Sequence, residues 1–255
     1  MKATWIRPPA RPGPCSATTP PCRVNTRTWT TTHPGRRAPL AGNEPKSYTR
    51  GEELANGLTH GVGAALSIAA LSVLVTLAGL AGDAWKVVAF AVYGASMVLL
   101  YLSSTFYHAF RSPRLKQVFR LLDHCVIFLL IAGSYTPFTL VTLRGPWGWT
   151  LFGLIWGLAL LGIVITVLAL SRIKWLAMAI YIGMGWLAVI AIKPLLEVLP
   201  LAGLLWMGAG GLFYTLGVVF YLWHRLPYNH AVWHMFVLAG TVCQFLAIYW
   251  YVLPA

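Results

Sequence analysis

The sequence predicts an all-α, polytopic membrane protein, a bundle of seven transmembrane helices with its N-terminus in the cytoplasm. Of the 255 residues, 58% are hydrophobic and only 10% are charged, and the mean hydropathy is +0.69. An average soluble domain has about 25% charged residues. A hydrocarbon core about 30 Å thick needs about 20 apolar residues per spanning helix, and the chain contains seven such runs. Strands of a membrane barrel would alternate polar and apolar residues, which these runs do not.

The seven predicted spans are separated by short connections, so neighbours in sequence are expected to be antiparallel neighbours in space. Two pairs of glycines at a spacing of four, Gly57 with Gly61 and Gly153 with Gly157, are expected to allow close contact between helices. The predicted spans cover residues 58–80, 85–107, 121–143, 147–170, 175–193, 201–223 and 231–253.

The positions of the cations predict the orientation of the bundle. The net charge of +13 would raise the question of nucleic acid in a soluble protein. With the N-terminus inside, sixteen of the 19 Lys and Arg residues fall on cytoplasmic segments, and the three outside are Lys86, Arg144 and Lys193. This bias follows the positive-inside rule, so the charge is explained by the membrane and no nucleic-acid partner is predicted.

The chain before the first span differs in composition from the remainder. Residues 1–50 are rich in Pro, Thr and Arg and contain no apolar run, which is typical of a disordered tail and lacks the apolar region of a secretory signal. Residues 51–255 are predicted to form the seven-transmembrane domain. Two of the four cysteines lie in the tail and two in apolar spans, so no disulfide framework is indicated.

Ionisable side chains within the spans concentrate toward one side of the membrane. They occur at the start of the first, third and seventh spans and at the end of the second and sixth, which all belong to the cytoplasmic layer. Burying such groups in a membrane is costly, so they are candidates for a functional site. They are His60, His108, Asp123, His124, His224, His230 and His234.

Three of these histidines form a candidate metal site. In the stretch YNHAVWH, residues 228–234, His230 and His234 are four residues apart and therefore share one helical face, which can supply two metal ligands. His108 is the natural third ligand from another helix. Neutral imidazole is a common zinc ligand, and a catalytic zinc site uses three protein ligands.

Two further polar residues are candidates for the chemistry at this site. Asp123 and His124 point about 100° apart on a helix, and Asp123 is the costlier to bury, so its carboxylate is expected to face the site. There it would act as a general base or hold a ligand. Ser104 lies one turn before His108 and can hydrogen-bond the attacking water. Each residue has an ordinary structural explanation, such as a dipole partner for Asp, but their common layer favours a metal site.

Four motifs in order resemble the hemolysin III family, the bacterial branch of the progestin and adipoQ receptors, which is related to the alkaline ceramidases. The resemblance begins near residue 48 and continues to the end of the chain. The motifs are Glu53-x-x-Asn56-x-x-Thr59-His60, Ser104-x-x-x-His108, Leu122-Asp123-His124 leading to AGSYTPF at 132–138, and His230-x-x-x-His234 within HAVWHMFVLAG.

The resemblance implies a protein of the bacterial inner membrane with zinc held by His108, His230 and His234. It places Asp123 and Ser104 close to the attacking water. Three further matching residues are accessory candidates of undefined role, with His60 as a reserve ligand; they are His60, Glu53 and Asn56.

The leading hypothesis is a ceramidase-like, zinc-dependent hydrolase of a lipid amide, with membrane lipids as its partners. Zinc acts as a Lewis acid in such reactions, and seven apolar helices admit an acyl chain more readily than a sugar or a nucleotide. Two alternatives stay open from the sequence: a hemolysin-type pore-forming or membrane-perturbing protein, and a receptor or regulator in which zinc braces the bundle. The sequence does not indicate the oligomeric state.

Overall fold

The part of the chain that the structure describes consists mainly of helices joined by short connections. The structure is a computed structural model that describes residues 48–169 and 174–254, except for the side chains of residues 169 and 174. The predicted disordered tail therefore lies almost entirely outside the described residues. Within the described ranges there is no β-strand.

Seven stretches of the described chain are long and apolar enough to cross a membrane, which confirms the predicted fold class and number of spans. The fifth span contains two helices, so the α-helices number eight. They are α1 (Arg50–Leu80), α2 (Ala84–Ala109), α3 (Pro113–Pro137), α4 (Pro146–Ala169), α5 (Lys174–Gly185), α6 (Ile192–Val198), α7 (Leu201–Leu222) and α8 (Asn229–Tyr251).

The first span starts eight residues before its predicted position. Thr49 caps α1: its side chain accepts a hydrogen bond from the Glu52 backbone N–H at 3.2 Å, and the Glu52 carboxylate accepts one from the Thr49 N–H at 2.9 Å. This reciprocal capping box satisfies backbone donors that a helix start otherwise leaves unpaired. The two turns before residue 58 are consequently helical, and they place Glu53 and Asn56 on the same rigid element as His60.

The third span also starts earlier than predicted, at Pro113 instead of residue 121. Proline is favoured at the first position of a helix because its missing N–H has no partner there anyway. The early start puts the cations Lys116 and Arg120 on α3, in the turns that precede Asp123. At its other end, α3 continues into a five-residue π-helix, Phe138–Thr142.

The fifth span is interrupted in the middle, whereas the sequence predicted one continuous helix. α5 ends at Gly185, a 3₁₀ turn covers Leu187–Ala191, and α6 follows. The Tyr135 hydroxyl accepts a hydrogen bond from the Ala188 N–H at 2.9 Å and donates one to the Gly185 carbonyl at 3.0 Å. Backbone groups freed within a membrane must be satisfied internally, and Tyr135 of α3 does this at the interruption.

The helix packing brings the polar ends of several spans together. α1 packs along α2, α2 along α3, α7 along α8, and α8 returns to α1. Gly57 and Gly61 of α1 face His108 and Thr105 of α2 at ordinary contact distance, as expected for close packing.

The expectation for the second glycine pair is wrong. Gly153 and Gly157 of α4 have no described neighbour within 4 Å of the position that a Cβ would take. The close approach on this helix occurs one turn or more away, at Gly162, where a Cβ would collide with the ring of Phe128. Spacing alone therefore did not identify the glycines that allow the helices to approach.

Candidate metal centre

His108, His230 and His234 lie together at one end of the bundle, as the sequence predicted. Each offers one ring nitrogen within 4.8 Å of the other two, and all three side chains are buried. The ring centroids are 4.4 Å apart for His230 and His234, 5.1 Å for His108 and His230, and 5.5 Å for His108 and His234. Ligand nitrogens around a tetrahedral zinc lie about 3.3 Å apart, given Zn–N bonds of about 2.0–2.1 Å. A small contraction of this cluster would produce that arrangement.

The start of α8 is fixed by the connection from α7. Tyr228 precedes the helix with a φ of 55°, a left-handed conformation that is uncommon for residues other than glycine. Asn229 follows, and its side-chain amide donates to the Phe220 carbonyl at 3.2 Å and to the Tyr221 carbonyl at 3.1 Å. These bonds satisfy the open carbonyl end of α7. They therefore hold the first turn of α8, which carries His230 and leads into the turn with His234, against the end of α7.

Glu53 fixes the ring of His108. Its carboxylate oxygen Oε2 lies 2.6 Å from His108 Nδ1, and its other oxygen pairs with the ammonium of Lys116. An ionised carboxylate only accepts hydrogen bonds, so Nδ1 carries the proton and Nε2 keeps its lone pair. Nε2 is buried and has no hydrogen-bond partner among the described residues. A carboxylate behind a ligating histidine is the usual outer support of a metal site.

His234 is held in the same tautomer by α1. Its Nδ1 lies 3.2 Å from the Asn56 carbonyl and 3.1 Å from the Thr59 hydroxyl oxygen. Because the carbonyl can only accept, Nδ1 donates and Nε2 carries the lone pair. His234 Nε2 is likewise buried without a partner in the described part of the chain. The donor set therefore fits a metal ion, since at least two of its three imidazoles are fixed with a lone pair that is otherwise unused.

His60 lies beside the cluster in an orientation that does not suit ligation. Its ring stacks on that of His234 with centroids 3.5 Å apart and an interplanar angle of 14°. Because an imidazole lone pair lies in the plane of its ring, the lone pairs of these two nearly parallel, stacked rings do not point toward a common position. His234 could therefore hold an ion that His60 would not reach. Both of its ring nitrogens are buried and make no hydrogen bond to a described residue.

Asp123 and Ser104 are both buried. The Asp123 carboxylate lies close enough to interact with His124, with His108 and with the Ser104 hydroxyl. A hydroxyl and a carboxylate at a buried site are groups that can orient a water molecule or a polar ligand.

His124 and His224 contribute no nitrogen to the three-histidine cluster. His124 Nδ1 lies 2.8 Å from the Arg120 carbonyl, a hydrogen bond within α3. His224 is exposed after the end of α7.

Tyr48 covers the cluster from the segment that leads into α1. Its ring lies 5.2 Å from that of His230 and 5.8 Å from that of His108. Burial raises the pKa of its phenol, so the hydroxyl stays protonated. Tyr48 was not predicted from the sequence, and Glu53 was predicted only as an accessory residue of undefined role. The capping box of Thr49 and Glu52 was the signal that would have placed the start of α1 directly after Tyr48 and Glu53 within its first turn.

A cavity of about 400 Å³ opens beside the cluster. Its wall includes the polar residues His60, Asp123 and His230, and its remainder is mainly apolar side chains of α3, α4, α5, α7 and α8. Pockets that bind small organic ligands have volumes of about 300–1,000 Å³ and mainly apolar walls. The geometry therefore places a chamber large enough for an acyl chain directly beside the candidate metal centre.

The fold and the site define a class: a multi-pass membrane protein with a buried three-histidine cluster that can hold a metal ion. Residues 48–245 match the family described as Haemolysin-III related, and the chain belongs to this family. The match begins at the first residue that the structure describes. It includes all three histidines of the cluster.

Named relatives agree with this assignment. The chain is 51% identical to Hemolysin-3 of Bacillus cereus over 203 residues, which is 80% of this chain and 93% of the relative. It is 44% identical to the Hemolysin-3 homolog of Bacillus subtilis over 204 residues, 80% of this chain and 96% of the relative. It is also 30% identical to the human monocyte to macrophage differentiation factor over 222 residues, 84% of this chain and 90% of the relative. No solved structure matches the chain.

Proposed function

We propose that this protein is a zinc-dependent, ceramidase-like hydrolase of a lipid amide. The observation that carries the proposal is the position of the histidine cluster, which adjoins both a buried carboxylate and a largely apolar chamber. A set of three imidazole ligands, with no thiolate or carboxylate among them, suits zinc. Zinc would supply Lewis acidity, which polarises a carbonyl group and makes water a nucleophile at neutral pH.

The side chains of this protein divide the remaining chemistry between them. Asp123 takes a proton from the attacking water, and Ser104 orients that water through its hydroxyl. The oxygen of the water bonds to the amide carbonyl carbon, and the carbon–nitrogen bond breaks with its electron pair on nitrogen. The amine then leaves with the proton held by Asp123. The apolar chamber binds the acyl chain and excludes bulk water from the reacting bond.

The proposed site lies in the cytoplasmic half of the bacterial inner membrane, with the N-terminus of the protein in the cytoplasm. The distribution of Lys and Arg supports this orientation. Described cations near the cluster, such as Lys116 and Arg120, precede Asp123 on α3, as expected for a helix that enters the membrane from the inner side.

Hydrolysis by purified protein tests the proposal. Zinc-loaded wild type in a neutral detergent should cleave at least one lipid from a panel of N-acyl amides that includes ceramides. His234→Ala should lose this activity, since it removes a ligand. Glu52→Gln, at a residue that caps α1 and does not line the cavity, is the control and should keep it. If wild type releases no more fatty acid than His234→Ala from any lipid in the panel, the proposal is refuted.

A second candidate function is suggested by the name of a relative. The Bacillus cereus protein that is 51% identical to this chain is named Hemolysin-3, so membrane perturbation is the alternative. A conducting pore needs a polar lining through the whole membrane, and the ionisable groups of the bundle are concentrated at one end. Release of a dye from liposomes that persists after loss of all three histidines would favour the alternative over hydrolysis.

A further inference from the structure

Arg120 of α3 is a cation in the wall of the chamber that has no ion-pair partner in the described chain. The described ion pairs join Asp83 to Lys86, Asp123 to His124, and Glu53 to both His108 and Lys116. The guanidinium makes no hydrogen bond to a described residue either, and its side chain lines the 400 Å³ cavity. An arginine has five N–H donors, and none of those of Arg120 pairs with a described residue.

Two tyrosine hydroxyls extend this set of donors. Tyr107 of α2 and Tyr221 of α7 line the same cavity, and both interact electrostatically with Arg120. Neither hydroxyl has a hydrogen-bond partner among residues 48–169 and 174–254. Arg120, Tyr107 and Tyr221 therefore bring donors from three helices to the wall of one largely apolar cavity. A few polar groups in such a wall are the usual means of fixing the polar end of a ligand.

The charges around this region favour an anion once the centre holds a dication. Lys116 neutralises Glu53, and Asp123 contributes one negative charge beside the cluster. The dication and Arg120 together outweigh that single carboxylate. Opposite charges attract strongly where water is excluded, so a ligand with a negative group near Arg120 gains affinity that a neutral ligand does not.

The spacing of Arg120 and Asp123 along α3 can be compared with the distance between the amide and the anionic group of a lipid. Arg120 precedes Asp123 by three residues, which is about 4.5 Å along a helix axis. In an N-acyl amino acid, the carboxylate follows the amide by one residue of chain, about 3.3–3.6 Å when extended. The separation of amide and carboxylate in such a lipid is thus similar to the rise between Asp123 and Arg120 on α3.

We propose that Arg120, Tyr107 and Tyr221 form a subsite for an anionic headgroup. The substrate is then a lipid amide whose amine part carries a carboxylate or a phosphate. The subsite adds a substrate class to the proposed hydrolase and rests on that function for the reaction, whereas binding can be measured without it. The reaction itself is the same amide hydrolysis, and it releases a fatty acid and an anionic amine.

Binding of three lipids with the same acyl chain and amide tests the subsite. They are N-oleoylglycine, phosphorylated N-oleoylethanolamine and the neutral N-oleoylethanolamine, which separate a carboxylate, a phosphate and no charge. Zinc-loaded Asp123→Asn protein, which lacks the proposed base, prevents hydrolysis during the titration. Tryptophan fluorescence reports binding, because Trp175, Trp186 and Trp233 line the chamber.

At least one anionic lipid should bind at least about tenfold more tightly than the neutral lipid, as expected for a charge-assisted contact. Adding Arg120→Gln should reduce this preference to about twofold or less, with the affinity for the neutral lipid unchanged. Arg114→Gln is the matched control, since Arg114 is exposed on the same helix and does not line the cavity. It should keep the full preference.

Equal affinity of the parent protein for the anionic and neutral lipids overturns the subsite, and this comparison needs no arginine variant to fold. An undiminished preference in Arg120→Gln overturns it as well. If the preference depends on Arg120 but the protein with its natural Asp123 cleaves none of the three lipids, the result supports the subsite and counts against the proposed hydrolase activity. If the protein cleaves the lipids but binds the anionic and neutral ones equally, the result supports the hydrolase activity and overturns the subsite.

Discussion

Replacing Glu53 tests whether a carboxylate on α1 holds a metal ligand on α2. The Glu53 Oε2 to His108 Nδ1 distance is 2.6 Å, and a hydrogen bond to a charged group contributes about 1.5–3 kcal/mol. Glu53→Gln keeps a neutral acceptor, so about half of this free energy should be lost. The affinity for zinc should then be roughly 3- to 12-fold weaker. Glu53→Ala removes the acceptor and should weaken zinc binding about 10- to 100-fold, the range seen when outer partners of metal ligands are lost.

The assay is competition for zinc between purified protein and a chromophoric chelator in neutral detergent. Glu52→Gln is the control: Glu52 is adjacent in sequence but caps the helix, and glutamine serves equally well in a capping box. Its zinc affinity should equal that of wild type. If Glu53→Gln and Glu53→Ala both bind zinc within about twofold of wild type, Glu53 does not support a metal ligand and the tautomer argument for His108 is refuted.

Three other predictions concern catalysis and packing. Asp123→Asn should lower the hydrolysis rate by about 10²-fold or more, as expected for loss of a general base, while its zinc content, measured by mass spectrometry, stays that of wild type; an unchanged rate would exclude the assigned role. Gly63→Ala places a methyl group against an aromatic ring of α2 and should destabilise the protein by about 1–3 kcal/mol, seen as a lower melting temperature, whereas Gly79→Ala meets open space and should not. Tyr135→Phe leaves two backbone groups of the fifth span without their partner, so amide exchange there should accelerate by about tenfold or more, unlike in Tyr249→Phe; equal exchange in both would contradict the bracing role.

Most of the fold was predictable from the sequence because a membrane-spanning helix can be recognised from its composition alone. Seven apolar runs of about 20 residues have few other interpretations. The ends of the spans were predicted less well. A search for runs of about 20 apolar residues leaves out polar helical turns at the membrane boundary, because their composition is like that of loops. α1 begins at Arg50 because of its cap, and α3 begins at Pro113 because of its first residue, and both signals are local.

The interruption of the fifth span could not be predicted from the sequence, for a different reason. Gly183 and Gly185 weaken a helix there, but glycine is frequent in transmembrane helices. What makes the interruption stable is the Tyr135 hydroxyl, fifty residues away along the chain. A long-range partner of this kind has no signature in the sequence around the break.

The metal cluster was predictable because histidines are scarce and costly in a membrane. His230 and His234 share a face by spacing, and antiparallel spans place His108 in the same layer. Their partners were harder to predict: Glu53 was known only as a motif residue, and the partner of His234 includes a backbone carbonyl, that of Asn56, which no residue type reveals.

Metal analysis of the purified protein tests the central claim most directly, namely that imidazoles from α2 and α8 hold one ion. Wild type and His224→Ala, purified in neutral detergent with zinc present and then dialysed, should each contain about one zinc per chain. His108→Ala, His230→Ala and His234→Ala, each verified as folded by its melting curve, should contain far less. Zinc at the wild-type level in all three variants would contradict the account.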